Sequence, residues 1–333
     1  MSSKLSNRFG LEFTRNIYIT ILPLLALFFV LVVFGQNARS AELPYGQGVL
    51  WQVTKDGLQP SVIFGTMNSS ERRVVDLGEG AVKFLASSDS LLVDVIDDDS
   101  IKQKLFAAMV YQDNRRLDEL VSPETFEKIK VLGYEYGYLA RQMKVLKPWA
   151  AGVVFSFPPS EASRISLGIR TLNQNLQDIA QQKGIAVIAL ETVEQQLAAL
   201  DGANEQEQIA LLDTLPSDIA SVEEKFEKRL GLYLLQNTGE MYQQMLKDYT
   251  LISGDFAERY VASLITHRNY GMVARMQHSL LKGNSFVAID ALHLPGAEGV
   301  LSLLVSQGYT IKPLMWFLTI FLGKKRIFPA SSG

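Results

Sequence analysis

The sequence predicts a mixed α/β (α+β) protein: a central mixed sheet with flanking helices and a large all-helical insertion. Three features lead there. Short apolar runs of strand length, bounded by turn residues, sit near both ends of the mature chain. Stretches with helical spacing lie between them, and from 193 to 282 almost everything reads as helix. No repeat of solenoid period interrupts this plan.

Taken in order, Lys4, Arg8 and Arg15 precede the apolar run Ile17–Phe34, which small residues at Ala38 and Ser40 follow. That is the pattern of a secretory signal over 1–41, and the run is also just long enough to span a bilayer as a retained anchor. Both readings place the rest of the chain outside the cytoplasm, in the periplasm or tethered to the inner membrane facing it. Residues 42–312 form the expected domain. Strands are predicted at Val49–Val53, Ser61–Phe64, Leu91–Val95, Ile185–Leu190, Ser285–Ile289 and Tyr309–Lys312. Helices are expected at Glu79–Ser87, Ile101–Tyr111 and Pro123–Leu132, the last with Ser122 as N-cap and Pro123 in its first turn. Leu172–Gln182 reads as a helix ending at Gly184, and Glu298–Ser306 as a short helix before the last strand. Breaks in the helical insertion are expected near Gly202, Pro216, Gly239 and Gly254. Lys147-Pro148-Trp149 and Phe157-Pro158-Pro159 mark an expected kinked, loop-rich crossing. The tail 313–333 joins an apolar run to Lys324-Lys325-Arg326; it suits either the membrane interface or a frayed last strand.

Composition removes several function classes. The 333 residues, 47% hydrophobic, are ample for a core, and a net charge of −3 without a basic block excludes nucleic acid as a partner. The absence of cysteine rules out disulfides, zinc–thiolate sites and a Cys nucleophile. There is no Gly-rich phosphate loop, no GxSxG elbow and no HExxH.

The residues left to carry chemistry cluster at strand ends, where α/β sheets bind ligands. Asp94 sits in the apolar stretch "LLVDVIDDD", flanked by Leu92, Val93 and Val95, and reads as a partly buried acid in need of a partner. Asp97, Asp98 and Asp99 read as a solvated loop or as charge complement for the next helix. Glu191 follows the strand "AVIAL" and either takes part in a site or serves as an N-terminal acid with Thr192 as helix cap. Arg268 and Asn269 open an expected helix, where an Arg suits an anion or a buried carboxylate. Of the histidines, His278 reads as solvent-facing and His267 as a helix-start residue, while His293 ends a strand. "VIFGTMN" and "VAIDALH" echo each other, so Asn68 and His293 are candidates to be aimed at one shared point.

In sequence order, "LWQVTKDGLQPSVIFGTMNSS", "SLLVDV", "KPW", "LNQNLQDIAQQKGIAVIALETVEQQL" and "RNYGMVARMQHSLLKGNSFVAIDALHLPGAEGVLSLLVSQGY" resemble the TraB/GumN family, relatives of the Tiki extracellular proteases. The resemblance runs from about Leu50 to Tyr309. It implies a divalent-metal-dependent hydrolase or peptidase, with Mn²⁺ or Co²⁺ as the metal type, acting at the cell envelope on peptide or in polysaccharide systems. It also implies a site built from two G-x-x-H motifs and an early strand-end acid. Here the first motif ends in Asn68 instead of His, the second begins with Asp290 instead of Gly, the early acid is Asp94 rather than Glu, and Asn173 stands where relatives often carry Asp. The metal ligands implied are therefore His293, Asp94 and Asp290, with Glu191, Arg268, Asn269 and Asn68 as the catalytic set. An amide at Asn68 suits hard cations better than the metals imidazole prefers. Such a remodelled site fits an altered hydrolase. It fits equally a pseudoenzyme that binds envelope peptide or polysaccharide, and a membrane-associated partner of a secretion or polysaccharide system is a third reading.

Overall fold

The computed structural model describes residues 43–314; the expected signal or anchor segment 1–41 and residues 315–333 of the tail lie outside the described residues. Strands form at all six expected places: β1 (Leu50–Thr54), β2 (Ser61–Thr66), β3 (Ser90–Val93), β4 (Ala186–Ala189), β5 (Ser285–Asp290) and β6 (Thr310–Pro313). They make one mixed sheet in the order β4-β3-β5-β2-β1-β6. β4, β3, β5 and β2 run parallel, while β1 pairs antiparallel with β2 and β6.

Helices cover both faces of the sheet, which explains why its strands read as continuous apolar runs rather than alternating ones. On one face Phe64, Leu91, Val93, Phe286 and Ala288 pack with the helices Arg72–Leu85, Leu172–Gln182 and Ile219–Leu234. On the other, Trp51, Ile63, Leu92, Val287 and Ile289 meet Met272, Val273 and Met276 of helix His267–Lys282, and Leu301 and Leu304 of helix Val300–Ser306. Neighbouring residues on a strand thus serve opposite layers, as the pleat requires.

Helix boundaries follow local capping. Ser122 accepts from Thr125 N, Thr171 and Thr192 close capping boxes with Gln174 and Gln195, and Gly184 takes positive φ at the end of Leu172–Gln182. The first helix starts earlier than the periodicity suggests, at Arg72, because Glu71 accepts from Arg73 N as N-cap. The expected loop-rich crossing is instead two short helices, Pro148–Val154 and Pro159–Ser166: each proline takes a first-turn position, where its missing N–H costs nothing. Nor are the helices of 193–282 a body apart. Leu212 and Val222 share a core with Leu117, Ile129, Leu132, Ala151 and Phe155.

Arg268 does not open a helix. Gly254–Val261 runs through a π-helical turn, Ala262–Thr266, directly into His267–Lys282, so no free N-terminus faces it. Wide turns of this kind re-aim the residues that follow them.

Gly65, near the end of β2, is required by close approach. A Cβ there would lie 2.5 Å from Leu294 Cδ1 and 3.1 Å from Ala291 Cα, in the turn that carries His293. Gly65→Ala is expected to overpack this junction and cost about 1–3 kcal/mol. The check is a lower urea midpoint with an unchanged m-value.

Candidate functional site

The C-terminal ends of β3, β4 and β5 bring three acidic residues side by side. Parallel pairing continues beyond the strands: Leu190 N donates to Val93 O and Glu191 N to Asp94 O (2.9 Å). On the other side of β3, Asp290 N donates to Asp94 Oδ2 at 3.3 Å. Asp94, Glu191 and Asp290 are therefore placed by the sheet itself, at the edge where α/β folds bind ligands.

Glu191, 5% exposed, is locked to Arg268. Arg268 Nε donates to both carboxylate oxygens at 3.0 Å and Nη2 to Oε2 at 2.6 Å, while Nη1 holds Leu264 O in the preceding π-helical turn. Burial works against the Arg268 charge, but the Glu191 hydrogen bonds and charge outweigh it and raise the pKa. Arg275 adds a bond to Leu190 O, fixing the backbone just before Glu191. Thr192 caps the next helix as expected, and Glu191 is committed to the ion pair.

His293 is enclosed at 1% exposure, in a 3₁₀ turn that Asp290 caps by accepting from Leu292 N at 2.9 Å. Its Nδ1 lies 2.7 Å from Asn269 Oδ1, and Asn269 Nδ2 donates to Glu298 O at 2.8 Å. With the amide oriented by that second bond, Oδ1 accepts from Nδ1–H and the lone pair of Nε2 is left over. Burial, then the charge of Arg268, pulls the His293 pKa well below its usual value, so the ring is neutral. An oriented neutral imidazole of this kind is how metal-ligating histidines are prepared.

Asp94 and Asp290 differ in how well their charge is supported. Both are raised by burial. Asp290 regains stability as an anion from Leu292 N and from the charges of Arg268 and Arg229. Asp94 is pushed up to about 7, by burial first and then by the repulsion of Asp290 and Glu191, against which the charge of Arg268 and one long N–H contact act. Its Oδ1 has no hydrogen-bond partner.

Asn68 is exposed just beyond the end of β2, whereas His293 is enclosed. The residues after it are pinned instead. Glu161, 2% exposed, accepts from Ser69 Oγ (2.7 Å), from Ser70 N and Oγ (2.5 Å each) and from Arg164 Nη2 (2.8 Å). Asp97 is likewise tethered, by Gln174 and Gln177, rather than merely solvated. His278 is exposed as expected.

Sequence reading passes over Glu161, Tyr233 and Arg229. Tyr233 Oη donates to Gly65 O at 3.0 Å, tying the helix Ile219–Leu234 to the end of β2. Arg229 lies one turn earlier and feels the charge of Asp290. A signal does exist: Arg229 falls on the apolar stripe Phe226–Leu230–Tyr233, where a charge is out of place.

Among the described residues no three His, Asp or Glu side chains are assembled as a metal-ligand set. The donors that fit a cation are the unpartnered Asp94 Oδ1 and the Asp290 carboxyl. Two carboxylates completed by water suit a hard cation of the Mg²⁺ type, and suit poorly a metal that seeks several imidazoles.

By class this is a three-layer α/β/α protein with a half-buried acid pair at its parallel strand ends and an enclosed, oriented imidazole in the turn after β5. The chain belongs to the TraB/PrgY/gumN family, whose model matches residues 49–313. Comparison with curated proteins found no match.

Two outcomes are expected from this geometry. An unfolded Asp releases its proton near about 3.9, whereas folded Asp94 holds it to about 7, so between those values the folded chain binds more protons and loses stability as pH rises. Asp94→Asn removes that cost: its melting temperature, measured with EDTA present, should match the wild type below about pH 4 and exceed it above about pH 7. Glu191→Ala strands the Arg268 charge and should cost about 3–5 kcal/mol in denaturant unfolding.

Proposed function

We propose that this chain is an exported envelope hydrolase of peptidase-like type, working at the strand ends with a site remodelled from the family pattern. The observation that supports it is the Asp94–Asp290 pair at the strand ends, with one carboxylate oxygen left unpartnered. Unsatisfied buried polar atoms are uncommon in folded proteins and concentrate where ligands or catalysis complete them.

In this reading Asp94 and Asp290 hold a divalent cation. When bound, that cation supplies Lewis-acid polarisation and a water activated for attack. Asp94 gives up its proton on ligation, so uptake strengthens as pH rises through about 7. Burial raises the Asp290 pKa, and Leu292 N, Arg268 and Arg229 oppose that rise. His293, its ring neutral and oriented by Asn269, would present the Nε2 lone pair to a ligand. Arg268, kept in place by Glu191, sets the positive potential around the acids rather than moving to a substrate.

A second reading, a non-catalytic binder of envelope peptide or polysaccharide, is favoured by two observations. Asn68 is exposed where the family pattern expects a ligand, and Arg268 is fully engaged. Thermal shift with Mg²⁺, Mn²⁺, Co²⁺ and Ca²⁺ separates the readings when paired with cleavage assays on a peptide pool. Under the hydrolase reading a cation at ~100 times its Kd adds about 2.7 kcal/mol of stability. That gain disappears in Asp290→Asn, and peptide cleavage follows the same cation. Stabilisation without cleavage selects the binder, and no response to any cation sinks the cation site.

A further inference from the structure

Arg229 is the group for which the site as described has no use. Its Nη2 is fully enclosed and has no hydrogen-bond partner, and among the described residues no carboxylate forms an ion pair with it. Asp290, Asp248 and Glu161 act on it only through their charge. The guanidinium lies instead between two aromatic rings, 5.4 Å from the centroid of Phe157 and 5.8 Å from that of Phe226. Burial lowers its pKa, yet an arginine starts so high that it stays charged.

An unpaired buried charge costs several kcal/mol, and two cation–π contacts of ~1–2 kcal/mol each do not offset that. Solvation is no remedy for Nη2, which water does not reach. The residue as a whole is half-buried, so part of the side chain remains open to solvent. Tyr233, one turn further along the same helix face, anchors this stretch to Gly65 O near the end of β2, and the charge of Asp290 at the end of β5 reaches Arg229.

We infer that Arg229 is the recognition group for a carboxylate carried by the ligand of the strand-end site, an inference that rests on the proposal that a ligand binds there. Hydrogen bonding sets the class. Arg268 is already paired with Glu191, whereas Arg229 feels Asp290, Asp248 and Glu161 through charge alone and has an Nη2 with no acceptor. A planar monoanion matches the guanidinium edge in a bidentate pair, whereas a dianionic phosphate meets repulsion from Asp290. A peptide C-terminus and a uronic acid both supply this carboxylate.

The test is isothermal titration calorimetry of the full mature chain in EDTA, reading binding alone, so failure of the cation or hydrolase reading leaves it intact. The probes are N-acetyl-alanyl-alanine against its C-terminal amide, and galacturonate against galactose. At least one acid should bind about 10-fold or more tighter than its neutral partner, and the responding pair identifies the source. Arg229→Met should abolish that preference without lowering the melting temperature, since it removes an unpaired charge, while Arg229→Lys should retain part of it. The assignment is overturned if neither acid is preferred, if Arg229→Met keeps the preference, or if that variant melts below the wild type.

Discussion

β5 lies between β2 and β3, parallel to both, and the placement of the site depends on that pairing. Parallel neighbours end on the same side of a sheet, so segments far apart in sequence deliver Asp94 and Asp290 next to each other, with Asp290 N reaching Asp94 Oδ2. β4 adds Glu191 through the same ladder. Because both faces of the sheet are covered by helices, these ends are among the few places where strand-borne polar groups meet a ligand. The turn after β5 then folds against Gly65, and only the absence of a side chain there allows the approach.

Burying three acids at one edge creates an electrostatic problem that the fold solves unevenly. Glu191 is fully compensated by Arg268, with three hydrogen bonds and little exposure, which makes that pair a fixed structural element. Asp290 is compensated by a backbone N–H and by two arginines at longer range. Asp94 is pushed up to about 7, with one carboxylate oxygen unpartnered. Similar carboxyls thus acquire different characters from their surroundings alone, one locked in an ion pair and two raised by burial, Asp94 also by the charge of Asp290. Among the described residues, unpartnered buried side-chain atoms occur at Asp94, Trp149, Asn173 and Arg229, and of these Asp94 stands at the strand ends while Arg229 feels the charge of Asp290 there. Each is a buried polar group whose cost the fold leaves uncompensated.

Most of the fold is legible in the amino-acid sequence. Strands buried on both faces leave short continuous apolar runs, and capping residues such as Ser122, Thr171 and Thr192 mark helix starts through bonds made within three residues. Readings fail where a local signal has two structural outcomes. Pro148 and Pro159 read as breakers yet begin helices, since a proline at the first position and one in a loop look alike in sequence. Arg268 reads as a helix start because nothing local reveals that a π-helical turn carries the chain through from Val261.

The candidate site divides along the same line. Local sequence is enough to identify residues able to carry chemistry: an acid inside an apolar strand at Asp94, an acid at Glu191, and a histidine at the end of a strand at His293. These are visible because polar groups within apolar runs demand a partner. Which partner each one receives is a property of the folded chain. Glu191 is taken by Arg268 and His293 by Asn269, Asn68 stays exposed, and Arg229 feels the charge of Asp290 from a helix that gives no motif to follow. Pairing in a buried site is settled by distances between segments far apart in the chain, and a periodicity of two or three and a half residues carries no information about them.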